Sequence, residues 1–320
     1  MKLGVLTAPF GGKTLKEVLE YLSGLGVTAV ELGTGAFTTD HHVGVSELLN
    51  SDKKLEDFKN TLKEYKMEIA ALSCHGNPVH PDKQKAKKDD DAFRNTVLLA
   101  EKLGLDTIVT FSGCPGDGIG NKPNWVTCAW PPEFGEILDY QWNEVLIPYW
   151  KEAAAFAVSH GVTKIALEMH PGFCVYNGET LLKLRAAVGD VIGANFDPSH
   201  LIWQGIDAVQ SIKELKGAIY NFHAKDTKVD SANKAKNGVL DTKSYASLLD
   251  RSWIFRTVGY GNDLGYWKDI VSTLKATGYD GAITIEHEDC LMSVNEGLEK
   301  AVALLKEAIV FEQPAYMWWA

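Results

Sequence analysis

Glu168 closes the run KIALEMHP, Asp197 the run IGANFDPSHL, His223 the run IYNFHAKD and Glu286 the run AITIEHED. In each run apolar or β-branched residues come first, and a carboxylate or imidazole follows at the carboxyl end. Three carboxylates and one imidazole suit a hard or borderline divalent ion such as Mn²⁺, Mg²⁺ or Co²⁺, with Zn²⁺ possible but less favoured. A divalent ion chelating a sugar hydroxyl and the neighbouring carbonyl makes the intervening C–H more acidic, because it stabilises the enediolate oxygen as it forms. Two carboxylates on opposite sides of that carbon can exchange the proton, and Glu168 and Glu286 are the pair assigned to it. Return of the proton to the opposite face gives epimerisation; return to the adjacent carbon gives aldose–ketose isomerisation.

Residues so far apart in sequence meet only if their strands run parallel and deliver their carboxyl ends to one face, as in a (β/α)₈ TIM barrel. Strand-like runs occur at 3–8, 28–32, 68–74, 107–112, 164–169, 192–197, 219–224 and 282–287. They alternate with amphipathic stretches such as LKEVLEYLSGLG, LEDFKNTLKEYK, AFRNTVLLAEKLG and WKDIVSTLKATG, the pattern of repeated βα units. The glycines of SGLG, EKLG and KATG read as helix C-caps. A chain of 320 residues, 45% hydrophobic, suffices for a single α/β barrel domain over 1–320 with extended βα loops.

Two connections are long, about 112–140 and 227–265, and both leave the ligand-bearing face. The first is rich in Gly, Pro and Trp but lacks the G-K-[ST] of a phosphate-binding loop; Trp125 and Trp130 are candidate apolar walls for a sugar ring. The second carries Lys228, Lys234, Lys236, Arg251 and Arg256 and predicts a partial lid. Arg256 is a candidate binder of a carboxylate or phosphate through its planar fork, or else a loop ion pair. Lys225 and Asp226 follow His223 and either contact substrate or pair with each other. His75 and His80, in SCHGNPVHP after the third strand, either line the pocket or cap a helix. His287 should point away from the lumen by strand alternation.

The mixed cluster DKQKAKKDDD at 82–91 reads as a solvated helix start. The aromatic tail EQPAYMWWA at 312–320 is expected to pack on the barrel or, preferably, on a neighbouring subunit. Five scattered cysteines, never in a C-x-x-C pair, argue for buried free thiols rather than a disulfide framework or zinc ribbon. A net charge of −10 opposes a nucleic-acid partner. MKLGVLTAPF lacks the pattern of a signal peptide, and no run approaches the roughly 18 apolar residues that span a bilayer. The expectation is a soluble, cytoplasmic protein with no membrane partner.

On these strand-end residues the chain resembles, over nearly its whole length, the xylose isomerase-like TIM barrels. This is the superfamily of sugar isomerases and epimerases that includes the ketose 3-epimerases. The resemblance implies that Glu168, Asp197, His223 and Glu286 hold one divalent metal, usually Mn²⁺ or a relative, and that the substrate is a small carbohydrate. The family phrase D-x-x-H appears as Asp197-Pro198-Ser199-His200, which implies a substrate contact for His200. Val229 stands where those epimerases typically carry an arginine, six residues after His223, which puts a simple free ketose in doubt. The pair Glu168-x-His170 resembles lyase members that cleave 3-keto C-glycosides, often with a small partner subunit, and makes His170 a further candidate base. The resemblance thus implies a metal-dependent epimerase or isomerase first and a 3-keto-glycoside lyase second. An AP endonuclease and a non-catalytic sugar sensor follow. Such barrels often assemble as homo-oligomers.

Overall fold

Alternating apolar positions on short β-branched strands, each followed by an amphipathic helix, leave one low-energy arrangement for this chain: the strands close on themselves and the helices cover their outer faces. The computed structural model, which describes residues 1–313 and 316–319, has that form. β1 (Lys2–Leu6), β2 (Ala29–Gly33), β3 (Glu68–Ser73), β4 (Thr107–Phe111), β5 (Lys164–Glu168), β6 (Ile192–Phe196) and β7 (Ile219–Ala224) run in sequence order around the barrel. A ribbon of β8 (Asp226–Val229) and β9 (Trp253–Arg256) interrupts that order, and β10 (Ala282–Ile285) pairs with both β7 and β1 to close it. All eight strands anticipated from sequence are present, and every barrel pairing is parallel.

Register stacks the inward side chains in layers. Near the amino-terminal end Ala71, Val109 and Ala166 pack against Tyr220. That ring fits because Gly193 has no side chain: a Cβ there would lie 2.3 Å from Tyr220 Cδ2. The next layer is polar, with Glu31, Ser73, Asn195, Asn221 and Thr284 all between 0% and 2% exposed. Above it, the pairings Phe111↔Glu168, Glu168↔Asn195 and Thr284↔His223 bring the carboxyl ends of β4, β5, β6, β7 and β10 level.

The outer helices begin where the sequence offers caps. Thr14 and Glu17 form a reciprocal capping box for the helix Leu15–Gly24. Asp82 caps the helix Lys83–Leu103, so the lysine and aspartate cluster lies in its first turns. Gly104, at the end of that helix, adopts a left-handed φ of 71° that closes it. His287 packs against the last helix, Val294–Ala308, where a Cβ on Gly297 would come 2.1 Å from its ring, so it does face away from the lumen.

Three expectations need correction. The first long loop ends earlier than residue 140: Pro132 opens a helix, Pro132–Asp139, which continues through wide π-type turns at Tyr140–Leu146 into Ile147–Ser159. The proline and aromatic composition hid a helix start, since proline at the first turn lacks only an N–H that would be unpaired anyway. Cys128 and Cys290 are exposed, because both lie in face loops, whereas Cys74, Cys114 and Cys174 are buried free thiols. The tail meets the barrel only at its start: Gln313 donates to Asp280 at 2.9 Å, whereas Tyr316, Met317, Trp318 and Trp319 are 58% to 85% exposed, and residues 314, 315 and 320 lie outside the described ones. No helix among the described residues is long and apolar enough to cross a membrane.

Candidate metal and substrate site

β5, β6, β7 and β10 each end inside the barrel mouth, and Glu168, Asp197, His223 and Glu286 converge there. One donor atom from each lies within 4.8 Å of all the others. His223 Nδ1 stands 3.4 Å from Glu168 and 3.1 Å from Glu286. Its other nitrogen, Nε2, donates to Glu31 at 2.9 Å, so Nδ1 is the nitrogen turned toward the carboxylates and the one a cation would meet in place of its proton. Asp197 Oδ1 accepts the Ser199 amide at 2.8 Å, while the buried Oδ2 lies 3.0 Å from Lys225 Nζ and 3.3 Å from His200 Nε2. An imidazole nitrogen aimed at two carboxylates and an all-oxygen-and-nitrogen donor set fit a divalent cation.

Glu168 is the most heavily served group. His75 Nε2 donates to it at 2.9 Å, Asn195 Nδ2 at 2.9 Å and His200 Nε2 at 3.1 Å. Burial would raise its proton affinity, but His75, His200 and His223 together hold it well below the ordinary carboxylate range. Burial likewise opposes charge on His223, and Glu31, Glu168 and Glu286 overcome it, raising its affinity well above an ordinary imidazole. Glu286 is lowered as well; burial opposes this, and the Lys225 charge beside it is the largest cause acting downward.

Lys225 is buried with its ammonium 3.0 Å from Asp197, 2.8 Å from Glu286 and 3.1 Å from Glu288. Those carboxylates keep it protonated despite burial, and its head lies 4.8 Å from the Phe255 ring centroid. His170 differs from the other histidines. Burial first, then the charges of His200 and Lys225, lower it to about 3, so it stays neutral. Its Nδ1 faces the Pro171 carbonyl at 2.6 Å, which leaves Nε2 as the free lone pair, and its ring lines the cavity beside His200.

The other sequence candidates separate. His75 joins the cluster, whereas His80 accepts the Asp82 amide and supports a helix start. Asp226 is not paired with Lys225. Its carboxylate accepts the backbone amides of Thr227, Gly259, Gly261 and Asn262, fastening the 259–262 turn to the end of β7. Arg256 is committed to Asp289 at 3.0 Å. Both are therefore anchors of the rim, where a flexible loop needs its backbone donors satisfied. Trp125 lines the cavity; Trp130 is 74% exposed and does not.

Reading the strand ends alone misses Glu31, Asn195, Asn221 and Glu288. Asn221 Nδ2 bridges Glu31 at 2.8 Å and Asn195 at 3.0 Å, which links Glu31 to Glu168 beneath the donor cluster. A signal for Glu31 existed, since a carboxylate inside the predicted strand TAVELG must find partners or leave the core.

A family model described as xylose isomerase-like TIM barrel matches residues 19–308. The chain is 39% identical to the uncharacterized protein YfiH of Bacillus subtilis (strain 168) over 312 residues, covering 97% of this chain and 99% of that protein. Its fold is also that of a D-tagatose 3-epimerase-like protein, with 21% identity, a TM-score of 0.64 and coverage of 96% and 97% of the two chains. IOLI protein with a bound zinc atom shares it too, with 20% identity, a TM-score of 0.64 and 96% coverage of each.

Proposed function

The chain belongs to the xylose isomerase-like TIM barrel family, and from that premise we propose that it is a divalent-metal-dependent sugar epimerase or isomerase working by proton abstraction through an enediolate. The observation that carries the reading is the convergence of Glu168, Asp197, His223 and Glu286, which Lys225 links to Glu288 and His200 links to His170 on the wall of the adjoining cavity. Those four residues would hold the ion, with Mn²⁺ the first choice by family resemblance, Mg²⁺ or Co²⁺ equally suited by donor type and Zn²⁺ suggested by the related IOLI structure. The ion supplies positive charge that makes the C–H beside a sugar carbonyl acidic.

The chain's own groups do the rest. Glu168 and Glu286 approach the site from different strands and are the proposed proton carriers. His75 and Asn195 orient Glu168 from below. His200, within 3.3 Å of both Glu168 and Asp197, stands where a substrate hydroxyl would enter. Lys225, with its ammonium shared among Asp197, Glu286 and Glu288, balances part of the carboxylate charge.

A second reading, a lyase acting on a 3-keto glycoside, is favoured by His170: it is neutral, its Nδ1 is taken by the Pro171 carbonyl, which leaves Nε2, and its ring borders the cavity beside His200. Metal analysis of the purified protein combined with a sugar and keto-glycoside panel in D₂O tests both. Deuterium entering one carbon without change of connectivity, and lost in Glu168→Gln, supports the epimerase. Release of an aglycone supports the lyase, and a metal-free protein with no exchange overturns both. The reading extends to a homo-oligomer, because the exposed Tyr316, Trp318 and Trp319 are side chains that association would bury. Sedimentation velocity showing only single chains would remove that extension.

A further inference from the structure

Two joined cavities adjoin the donor cluster. One, of about 470 Å³, is lined by His170, Tyr245, Ile254, Phe255, Glu288 and Cys290. The other, of about 200 Å³, passes His170 and His200 and forms an aromatic compartment walled by Trp125, Trp203 and Trp253. They share His170, Tyr245 and Phe255. A substrate whose reacting carbon lies at the donor cluster must place its remaining atoms here, so the charges of these walls decide which substituents it can carry.

Among the described residues, no arginine or lysine lines either cavity. The cations nearby are all committed. Lys225, its side chain 2% exposed, donates to Glu286 and Glu288 and lies 3.0 Å from Asp197. Arg256 is held by Asp289 at 3.0 Å. Arg251, 1% exposed, bonds the Lys243 and Trp253 carbonyls and packs its guanidinium on Tyr245 and Trp253. Lys243 pairs with Asp241 at 2.9 Å.

The charged side chains on the walls are instead carboxylates. Asp241 is 1% exposed and neutralised by Lys243. Glu288 differs, since its side chain is 51% exposed and its partner among the described residues is Lys225, at 3.1 Å. It therefore acts twice. It occupies a hydrogen of the buried ammonium that would otherwise be the cation closest to an incoming phosphate or carboxylate, and it sets a negative charge on the cavity wall. The aromatic faces beside it carry the negative side of their quadrupoles. An anion entering this space gives up hydration, finds no cationic donor and meets a like charge. A sugar without an anionic group escapes both penalties.

We infer that Glu288 is the specificity-determining residue of this mouth: it admits sugars that bear no phosphate or carboxylate and rejects sugar phosphates, aldonates and uronates. The inference rests on the sugar chemistry proposed above for the donor cluster.

Cys290 makes the exclusion measurable without turnover. It is exposed on the same wall, while Cys128, the other exposed thiol, lies in the loop after β4 and serves as a reference on the same molecule. Alkylation of the Mn²⁺-supplemented full chain by neutral iodoacetamide and by anionic iodoacetate is followed at both cysteines by peptide mass spectrometry. The ratio of the two reagents at one cysteine cancels its degree of ionisation. At low salt Cys290 should favour iodoacetamide about three- to tenfold more than Cys128 does, and the difference should shrink at about 0.5 M salt. Glu288→Gln should remove most of it and Glu288→Lys should reverse it, with the Cys128 ratio unchanged. Equal ratios at the two cysteines, or a difference untouched by both variants, overturns the inference. A second arm compares fructose with fructose 6-phosphate, and ribulose with ribulose 5-phosphate, for deuterium exchange in D₂O. Exchange into a phosphorylated member as fast as into its neutral partner overturns the inference and leaves the proposed chemistry standing. Exchange into none of them, with the alkylation difference intact, counts against the proposed chemistry and still supports the exclusion of anions.

Discussion

Glu31 is not one of the four converging donors, yet it should control metal affinity. It is fully buried and accepts from His223 Nε2 at 2.9 and 3.0 Å, from Asn221 Nδ2 at 2.8 Å and from the Ser73 hydroxyl. By accepting the Nε2 hydrogen bond it holds the ring with Nδ1 facing Glu168 and Glu286, and its negative charge makes Nδ1 a better metal donor. Glu31→Gln keeps the shape: its oxygen can face His223 and Asn221 while its amide turns to the Ser73 hydroxyl, which accepts. What is lost is the charge. The expected loss is about tenfold in Mn²⁺ or Co²⁺ affinity, about 1.4 kcal/mol, at the low end of the range for such partners. Glu31→Ala strands three buried donors and frees the ring, so about 100-fold is expected, with a stability cost of roughly 3 kcal/mol or more. Calorimetric metal titration of both variants, each checked for folding by circular dichroism and thermal melting, measures this. Affinities within threefold of wild type in two folded variants would refute the assignment.

Two further outcomes follow from the rim. Asp226→Asn replaces an oxygen that serves the Gly259, Gly261 and Asn262 amides with an NH₂ or a weaker acceptor. The melting temperature should fall by several degrees, about 2 kcal/mol at a few degrees each, while metal affinity stays near wild type. A change in metal affinity without loss of stability would instead mark Asp226 as part of the site. Asp241, which accepts the Ser252 amide at 2.7 Å, is lowered to about 2: burial alone would raise it, but the Ser252 amide and Lys243 outweigh burial. Since its folded value lies below the unfolded one of about 3.9, its stabilisation is complete above that pH and is lost as pH falls through about 2. Tryptophan fluorescence from the Trp253 wall should therefore change between about pH 4 and pH 2 in wild type and lose that transition in Asp241→Asn; an identical acid profile in the two would refute it.

The barrel was legible because its signals are local. Alternation on the eight strands, helical spacing between them and caps such as Thr14 and Asp82 depend on neighbours a few residues away. The four donors were legible for a related reason: in a parallel barrel the end of a strand determines the face, so position along each run implied convergence without any knowledge of distance. Glu31 escaped because it lies one layer deeper, and its function depends on a bridge through Asn221 and on a contact with His223, 192 positions away. Asp226 and Arg256 carried charges suited to substrate, and only the folded rim shows their bonding capacity taken up by the 259–262 turn and Asp289.

The aromatic compartment is the strongest case of what tertiary structure alone decided. Trp125 comes from the loop after β4, Trp203 from the helix after β6 and Phe255 from β9; the loop's composition pointed to Trp125, but nothing in the spacing of Trp203 and Phe255 distinguishes a cavity wall from an ordinary core. A strand's direction is an intrinsic property of the chain, so the sequence by itself determined the barrel and the face its donors occupy. The closure of a loop over that face is settled by packing between segments far apart in sequence, and the chain order carries no record of it.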